Sequence, residues 1–207
     1  MENSLFEIIT NQKHVLDGTL KEDYILRTIF PKAKELAETS LIKVIIGPRR
    51  TGKSILSMLL LKDKPFAFLN FDDEALSSLL RKTENYNDLL NTMLSVYGNV
   101  KTILFDEIQN LDNWELFANR LHREGYNLFL TGSNAKLLSR ELATHLTGRH
   151  FSIEVLPFNF KEYLIAKDFN LSPEKAIVAK GELLNHLNNY MVKGGYPEVV
   201  VKDFNIF

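Results

Sequence analysis

Gly47-Pro48-Arg49-Arg50-Thr51-Gly52-Lys53-Ser54 is the stretch on which the reading of this chain turns, and it fits G-x-x-x-x-G-K-[ST]. Each residue type has a physical task. Gly47 and Gly52 let the backbone fold tightly and keep side chains out of the space between the amides and an anion. Successive N–H groups then line one concave nest, with Pro48, Arg49, Arg50 and Thr51 supplying the intervening turns. Lys53 adds a point charge that reaches the outer phosphates, and the Ser54 hydroxyl is a hard-oxygen ligand suited to Mg²⁺. With glycine at about 7% of residues, the pattern arises by chance in roughly one chain of this length in a hundred. The flanks lower that figure. Ile42-Lys43-Val44-Ile45-Ile46 before it is a short β-branched run, the signature of a buried strand. Ile55-Leu56-Ser57-Met58-Leu59-Leu60-Leu61 after it is a strongly apolar helix.

Composition bounds the rest. The chain has 207 residues, 45% hydrophobic and 25% charged, with Lys+Arg 25 against Asp+Glu 26. It is long enough for one substantial domain with a small appendage, and no global basic excess points to nucleic acid. Cysteine is absent, which excludes disulfides and thiolate metal sites. No apolar run approaches the ~20 residues of a membrane span, and the start lacks a leader's basic and apolar regions. A cytoplasmic location without membrane attachment is the expectation.

Working outward, residues 1–40 read as helical pieces broken by turns, with punctuation at Asp17-Gly18 and a new piece from Pro31 to Thr39. They are expected to cover the sheet or one side of a base pocket. Pro65–Phe71 reads as a second strand, with Asp73 capping the helix near Glu74–Arg81. Residues 86–97 carry helical apolar spacing. Lys101-Thr102-Ile103-Leu104-Phe105-Asp106-Glu107-Ile108 is a buried strand with two acids at its carboxyl end, where ligands bind in parallel α/β sheets. Beside an anion loop that pair suits metal-assisted hydrolysis: Asp106 for the Mg²⁺ shell, Glu107 to polarise the attacking water.

Asn113–Glu124 is an amphipathic helix closed by Gly125. Tyr126–Thr131 is a fourth strand running into Gly132-Ser133-Asn134, whose polar residues either touch the γ-phosphate and water or cap a turn. A helix near Ala135–Leu146 follows. Arg149 stands just before a fifth strand, Phe151–Val155, as a surface charge or a finger on a transferring phosphoryl group. From 161 onward the pattern is helical, with a break at Ser172-Pro173 and a longer helix at Glu174–Asn189. The tail, Phe204-Asn205-Ile206-Phe207, is apolar, which reads as the edge of a longer protein.

Together these pieces resemble the prokaryotic AAA-type (AAA+-like) ATPases of the additional-strand P-loop class. The stretches that carry the resemblance are Val44–Ser54, Phe105-Asp106-Glu107-Ile108-Gln109, Leu130–Ser139, Leu146-Thr147-Gly148-Arg149, Leu156-Pro157-Phe158 and Gly194-Gly195-Tyr196-Pro197-Glu198. The resemblance implies an α/β three-layer core with a parallel sheet of order 5-1-4-3-2 over residues 1–157. It also implies a small helical lid over 158–207 and a further C-terminal domain beyond the sequence given. Lys53 and Ser54 match Walker A, Asp106 and Glu107 match Walker B, and Ser133 or Asn134 matches sensor 1. Arg149 matches the position of an arginine finger, which in such proteins often reaches a neighbouring subunit's nucleotide. The implied activity is hydrolysis of ATP to ADP and phosphate with Mg²⁺. The alternatives are a nucleotide-gated switch with negligible turnover and a P-loop kinase. The implied partners are the nucleotide and a second copy through Arg149, with nucleic acid only through the further domain. No sensor-2 arginine is evident in the lid.

Overall fold

The computed structural model describes residues 4–80, 86–133, 148–169 and 179–202. Helices α1 (Leu5–Thr19) and α2 (Phe30–Ala37) precede β1 (Ile42–Ile46), and α3 (Lys53–Leu61) leads to β2 (Ala67–Asn70). Then come α4 (Glu74–Leu80), α5 (Tyr86–Tyr97), β3 (Thr102–Asp106), α6 (Trp114–Arg123), β4 (Asn127–Gly132) and β5 (His150–Glu154). Among the described residues three helices follow: α7 (Phe160–Ala166), α8 (Lys180–Lys193) and α9 (Pro197–Lys202). The expected helix at Ala135–Leu146 and the Ser172-Pro173 break lie outside the described residues. Asp17-Gly18 does not end the first helix. One glycine in a last turn costs about 1 kcal/mol, and the burial of Leu16 offsets it.

The sheet is a five-stranded one in the order β2-β3-β4-β1-β5, parallel at every pairing. This is the expected order 5-1-4-3-2 read from its other end. Parallel strands covered on both faces are apolar throughout, and here alternate residues feed opposite layers. Val44, Phe105 and Leu130 pack with Ile9, Leu89, Trp114 and Phe117 from α1, α5 and α6. Ile45, Leu104 and Phe129 pack with Ala33, Leu56 and Leu61 from α2 and α3. Each such fully buried Ile, Leu or Phe contributes about 1.5–3 kcal/mol relative to an exposed one.

Two polar side chains inside these layers have partners that explain them. Lys43 on β1 is fully buried. Its ammonium donates to the Thr39 carbonyl and to Asn127 Oδ1 at 2.5 Å, over the Phe129 ring. Burial pushes its pKa down to about 8. Gln12 on α1 lies along the edge strand β2. It donates to the Asn70 carbonyl at 3.1 Å and accepts from the Asn70 N–H at 2.9 Å, as a neighbouring strand would. Tyr97 adds a hydrogen bond to the Phe68 carbonyl at 3.1 Å.

The last three helices form their own small apolar cluster around Phe158, Tyr163, Leu164 and Val200, with Ile25 from the α1–α2 connection packed against it. The strap Val155–Phe158 joins this cluster to the sheet. Phe158 N donates to Gly195 O at 2.7 Å, and Tyr190 donates to Phe158 O at 2.8 Å. A Cβ at Gly195 would stand 2.1 Å from that same carbonyl, which explains the glycine. Among the described residues no helix is long and apolar enough to cross a membrane.

Candidate functional site

β1 delivers the chain at the carboxyl edge of the sheet, and residues 47–52 turn back into α3. Gly47 (φ 149°), Arg50 (φ 65°) and Gly52 (φ 90°) take positive φ. At Gly47 the requirement is also steric. A Cβ there would stand 2.1 Å from the Val155 carbonyl of the strap. The strap is itself tied down, Val155 N donating to Ile46 O at 2.8 Å. The loop is therefore held from outside as well as by its own Thr51 Oγ1 to Pro48 O bond at 2.9 Å.

Five of the side chains singled out by sequence meet at this edge. Lys53 is 4% exposed. Its ammonium donates to Pro48 O at 3.0 Å and lies 3.6 Å from Glu107 Oε1. Ser54 Oγ donates to Asp106 at 2.7 Å and 2.9 Å. Glu107 stands just past β3 with φ 50°. Its Oε2 accepts from Ser133 N at 3.1 Å and from Gln109 Nε2 at 2.6 Å. β4 lies beside β3 with Phe105 opposite Leu130, and that register carries Ser133 to the acids.

The two carboxylates are tuned in opposite directions. Burial pushes the Asp106 carboxyl up, and the hydroxyls of Thr131 and Ser54 only partly offset it. Burial also acts on Glu107, but hydrogen bonds from Gln109 and Ser133 and the Lys53 ammonium outweigh it and hold this carboxyl below the usual range. A buried carboxylate and a hydroxyl in contact, both hard oxygens, fit a divalent cation such as Mg²⁺. The glycine-lined loop beside a buried lysine fits polyphosphate.

The remaining predicted residues lie apart. Arg49 reaches outward to Asp72 at 2.8 Å, and Arg50 to Glu198 on α9 at 3.5 Å, both exposed. Arg149 donates to Asn119 Oδ1 at 2.7 Å. It immediately precedes β5, beside Ile42, at the amino edge of the sheet. The length of β1, about 3.3 Å per residue, separates it from the loop of its own chain. Asn134 lies outside the described residues.

Sequence reasoning missed four residues. Thr131 donates to Asp106 Oδ1 and accepts from Glu107 N at 3.0 Å, linking both acids to β4. The signal was a lone hydroxyl ending an apolar strand. Gln109 follows Glu107 by two positions and gave no periodic signal. Arg27 and Glu162 form a buried ion pair at 3.2 Å behind the loop. Arg27 is the lone cation in Tyr24–Phe30. A cavity of about 400 Å³ opens beside Gly52, lined by Tyr24, Ile25, Ile55, Leu59, Phe158 and Pro197 among others. Its apolar wall suits a flat base, and its Tyr24–Ile25 side is the α1–α2 connection.

The description "AAA domain" belongs to the family model that matches residues 39–164. Uncharacterized protein MJ1544 of Methanocaldococcus jannaschii is 44% identical over 166 residues, covering 78% of this chain and 37% of that protein. An uncharacterized protein of Haemophilus influenzae is 33% identical over 193 residues, covering 88% of this chain and 45% of that one. The chain thus spans less than half the length of these curated relatives. The Walker-type ATPase PABY2304 of Pyrococcus abyssi superposes with a TM-score of 0.53 at 19% identity, over 87% of this chain and 67% of that one. At that identity the likeness is one of fold.

Proposed function

The chain belongs to the AAA domain family of P-loop NTPases, and from that premise we propose that it hydrolyses ATP to ADP and phosphate with Mg²⁺. One observation supports this above the others: Lys53, Ser54, Asp106, Glu107 and Ser133, drawn from separate segments, are linked at one sheet edge by contacts of 2.7–3.6 Å. In this reading the amides of residues 47–52 cradle the phosphates and Lys53 neutralises their outer charge. Ser54 and Asp106 hold the cation, whose chemistry is to draw charge from the phosphate oxygens. Glu107 orients the water, the Ser133 N–H just past β4 holds that carboxylate, and Ser133 or Asn134 serves as sensor 1 toward the water or the γ-phosphate. The base enters the cavity beside Tyr24 and Phe158, between the core (1–157) and the lid (158–207). Arg149, remote from the loop of its own chain, serves a neighbouring copy.

A second reading draws support from the same carboxylate. Glu107 is engaged by Gln109, Ser133 and Lys53 together, and a base so well held turns over slowly. A nucleotide-gated switch is then the outcome. Calorimetry with MgATP tests the shared premise, and phosphate release against protein concentration separates the two. Wild-type protein gives heat and Lys53→Ala gives none. A rate per subunit that rises with concentration supports the ATPase assisted by Arg149, and no release at any concentration supports the switch. A folded wild-type protein that gives no heat with millimolar MgATP ends both.

A further inference from the structure

Among the described residues Arg27 is the one guanidinium buried behind the loop, and it donates to backbone carbonyls. It lies in the connection between α1 and α2, 9% exposed. Nη1 donates to Thr51 O at 2.8 Å. Nη2 donates to Leu156 O at 2.5 Å and Pro157 O at 3.4 Å. Nε lies 3.2 Å from Glu162 Oε1, and the guanidinium stacks on the Phe158 ring at 5.0 Å. Glu162 is 2% exposed and is fixed in turn by Thr28 N at 2.6 Å, Thr28 Oγ1 at 2.9 Å and Asn159 N at 3.0 Å. One rigid, planar fork therefore ties together the phosphate loop, the strap and the first lid helix.

The contact with Thr51 has a directional consequence. The peptide unit from Thr51 to Gly52 is planar and trans, so the Thr51 carbonyl and the Gly52 N–H point in opposite directions. A donor that holds the carbonyl on the outer side of the loop aims the amide to the inner side. Gly52 has φ 90° and nothing nearer than Arg27 Nη1 at 3.9 Å to where a Cβ would be, so on the Gly52 side no packing constrains this plane. The left-handed backbone of a glycine rotates freely unless something holds it.

We propose that Arg27 is a positioning residue of the nucleotide site, which aims the Gly52 amide at the phosphates by gripping the Thr51 carbonyl, and which locks that loop to the root of the lid. The proposal rests on the reading of residues 47–54 as a triphosphate cradle. It assigns Arg27 an effect on phosphate binding that is separate from its pairing with Glu162. A lysine at 27 keeps the charge near Glu162 but replaces the planar fork by one ammonium, which gives up the fixed two-pronged geometry on the Thr51 and Leu156 carbonyls. The pair Arg27→Met/Glu162→Gln removes both buried charges at once, which avoids leaving one of them alone.

The test measures the affinity of wild type, Arg27→Lys and Arg27→Met/Glu162→Gln for MgATP and for inorganic tripolyphosphate with Mg²⁺, alongside their thermal midpoints. Both variants are expected to melt near wild type and to bind both probes about tenfold more weakly, the scale of a hydrogen bond to a charged group. Wild-type affinity for both probes in folded variants overturns the proposal. So does a loss confined to MgATP, which assigns Arg27 to the base cavity. A measurement on wild-type protein alone stands beside these should the variants not fold. On adding tripolyphosphate the Gly52 amide proton moves downfield by NMR, and a Gly52 resonance that stays put while Lys53 shifts overturns the proposal. Wild-type protein that takes up neither probe overturns the nucleotide reading itself, a distinct result.

Discussion

Replacing Glu107 by glutamine separates the roles this carboxylate combines. Its Oε2 is held by Gln109 and Ser133, while Oε1 faces the Lys53 ammonium at 3.6 Å. An isosteric amide keeps the first set by placing its own oxygen at the Oε2 position. It turns its NH₂ toward Lys53, so the ion pair is the loss. At an effective dielectric of about 20, unit charges 3.6 Å apart attract by about 4–5 kcal/mol before desolvation. Lys53 keeps Pro48 O and has Asp106 nearby, so the net loss is about 1–3 kcal/mol. In a chain of this size that lowers the midpoint by about 2–12 °C. Bound triphosphate supplies Lys53 with a replacement partner, so this gap closes at saturating MgATP while turnover falls by about 10²–10⁴. The assays are differential scanning fluorimetry with and without MgATP, and phosphate release. Turnover at the wild-type rate refutes the role of Glu107. A midpoint gap that persists at saturation refutes the account of Lys53.

Gly47→Ala forces a methyl 2.1 Å from Val155 O at φ 149°. It destabilises by about 2–5 kcal/mol, read as a midpoint lowered by about 4–20 °C; a change under about 2 °C means the strap does not press on the loop. Asp106→Asn removes the metal's contribution, so affinities for ATP with Mg²⁺ and with EDTA converge. A difference as large as wild type's shows that the cation is held elsewhere. The buried Lys43 gives a pH signature. Its folded pKa, about 8, lies below its ordinary 10.5, so between those values the unfolded chain holds a proton the folded chain has released, and stability rises with pH. Below about pH 8 the cost of burying the charge is fully present. Lys43→Met removes that slope, and the midpoint difference between it and wild type shifts in favour of wild type from pH 8 to 10.5. A difference that stays constant across the window rejects the account.

What the sequence made legible was local. Gly47–Ser54 and Phe105-Asp106-Glu107 are contiguous, and each carries its strand as an apolar run, so loop, acids and strands could be read directly. Sheet order came by resemblance, because strand pairing leaves little trace in a single chain whose strands are all buried. What stayed hidden was contact between distant segments. Glu162 grips Thr28, 134 positions away, and nothing in either neighbourhood marks the other. Arg27 was not singled out within its apolar run, and only the fold brings it to Thr51, Leu156 and Glu162. Arg149 was left open between finger and surface, because sequence order does not say which end of a strand a residue occupies. The register with Ile42 puts it at the amino edge. Gln12 was invisible for another reason: its amide imitates a strand, and no periodicity encodes that.

That imitation bears on how copies of this protein can meet. β2 is the rim of the sheet, and its Asn70 amide and its Asn70 and Phe68 carbonyls are occupied by Gln12 and Tyr97. Domain-swapped dimers and fibrils start by recruiting such a rim. A recruiting chain would here have to evict a helix first. Homotypic assembly at that side must then proceed through side chains and helix surfaces, and a lesion at Gln12 would show itself as slow precipitation on storage before it showed itself in nucleotide chemistry.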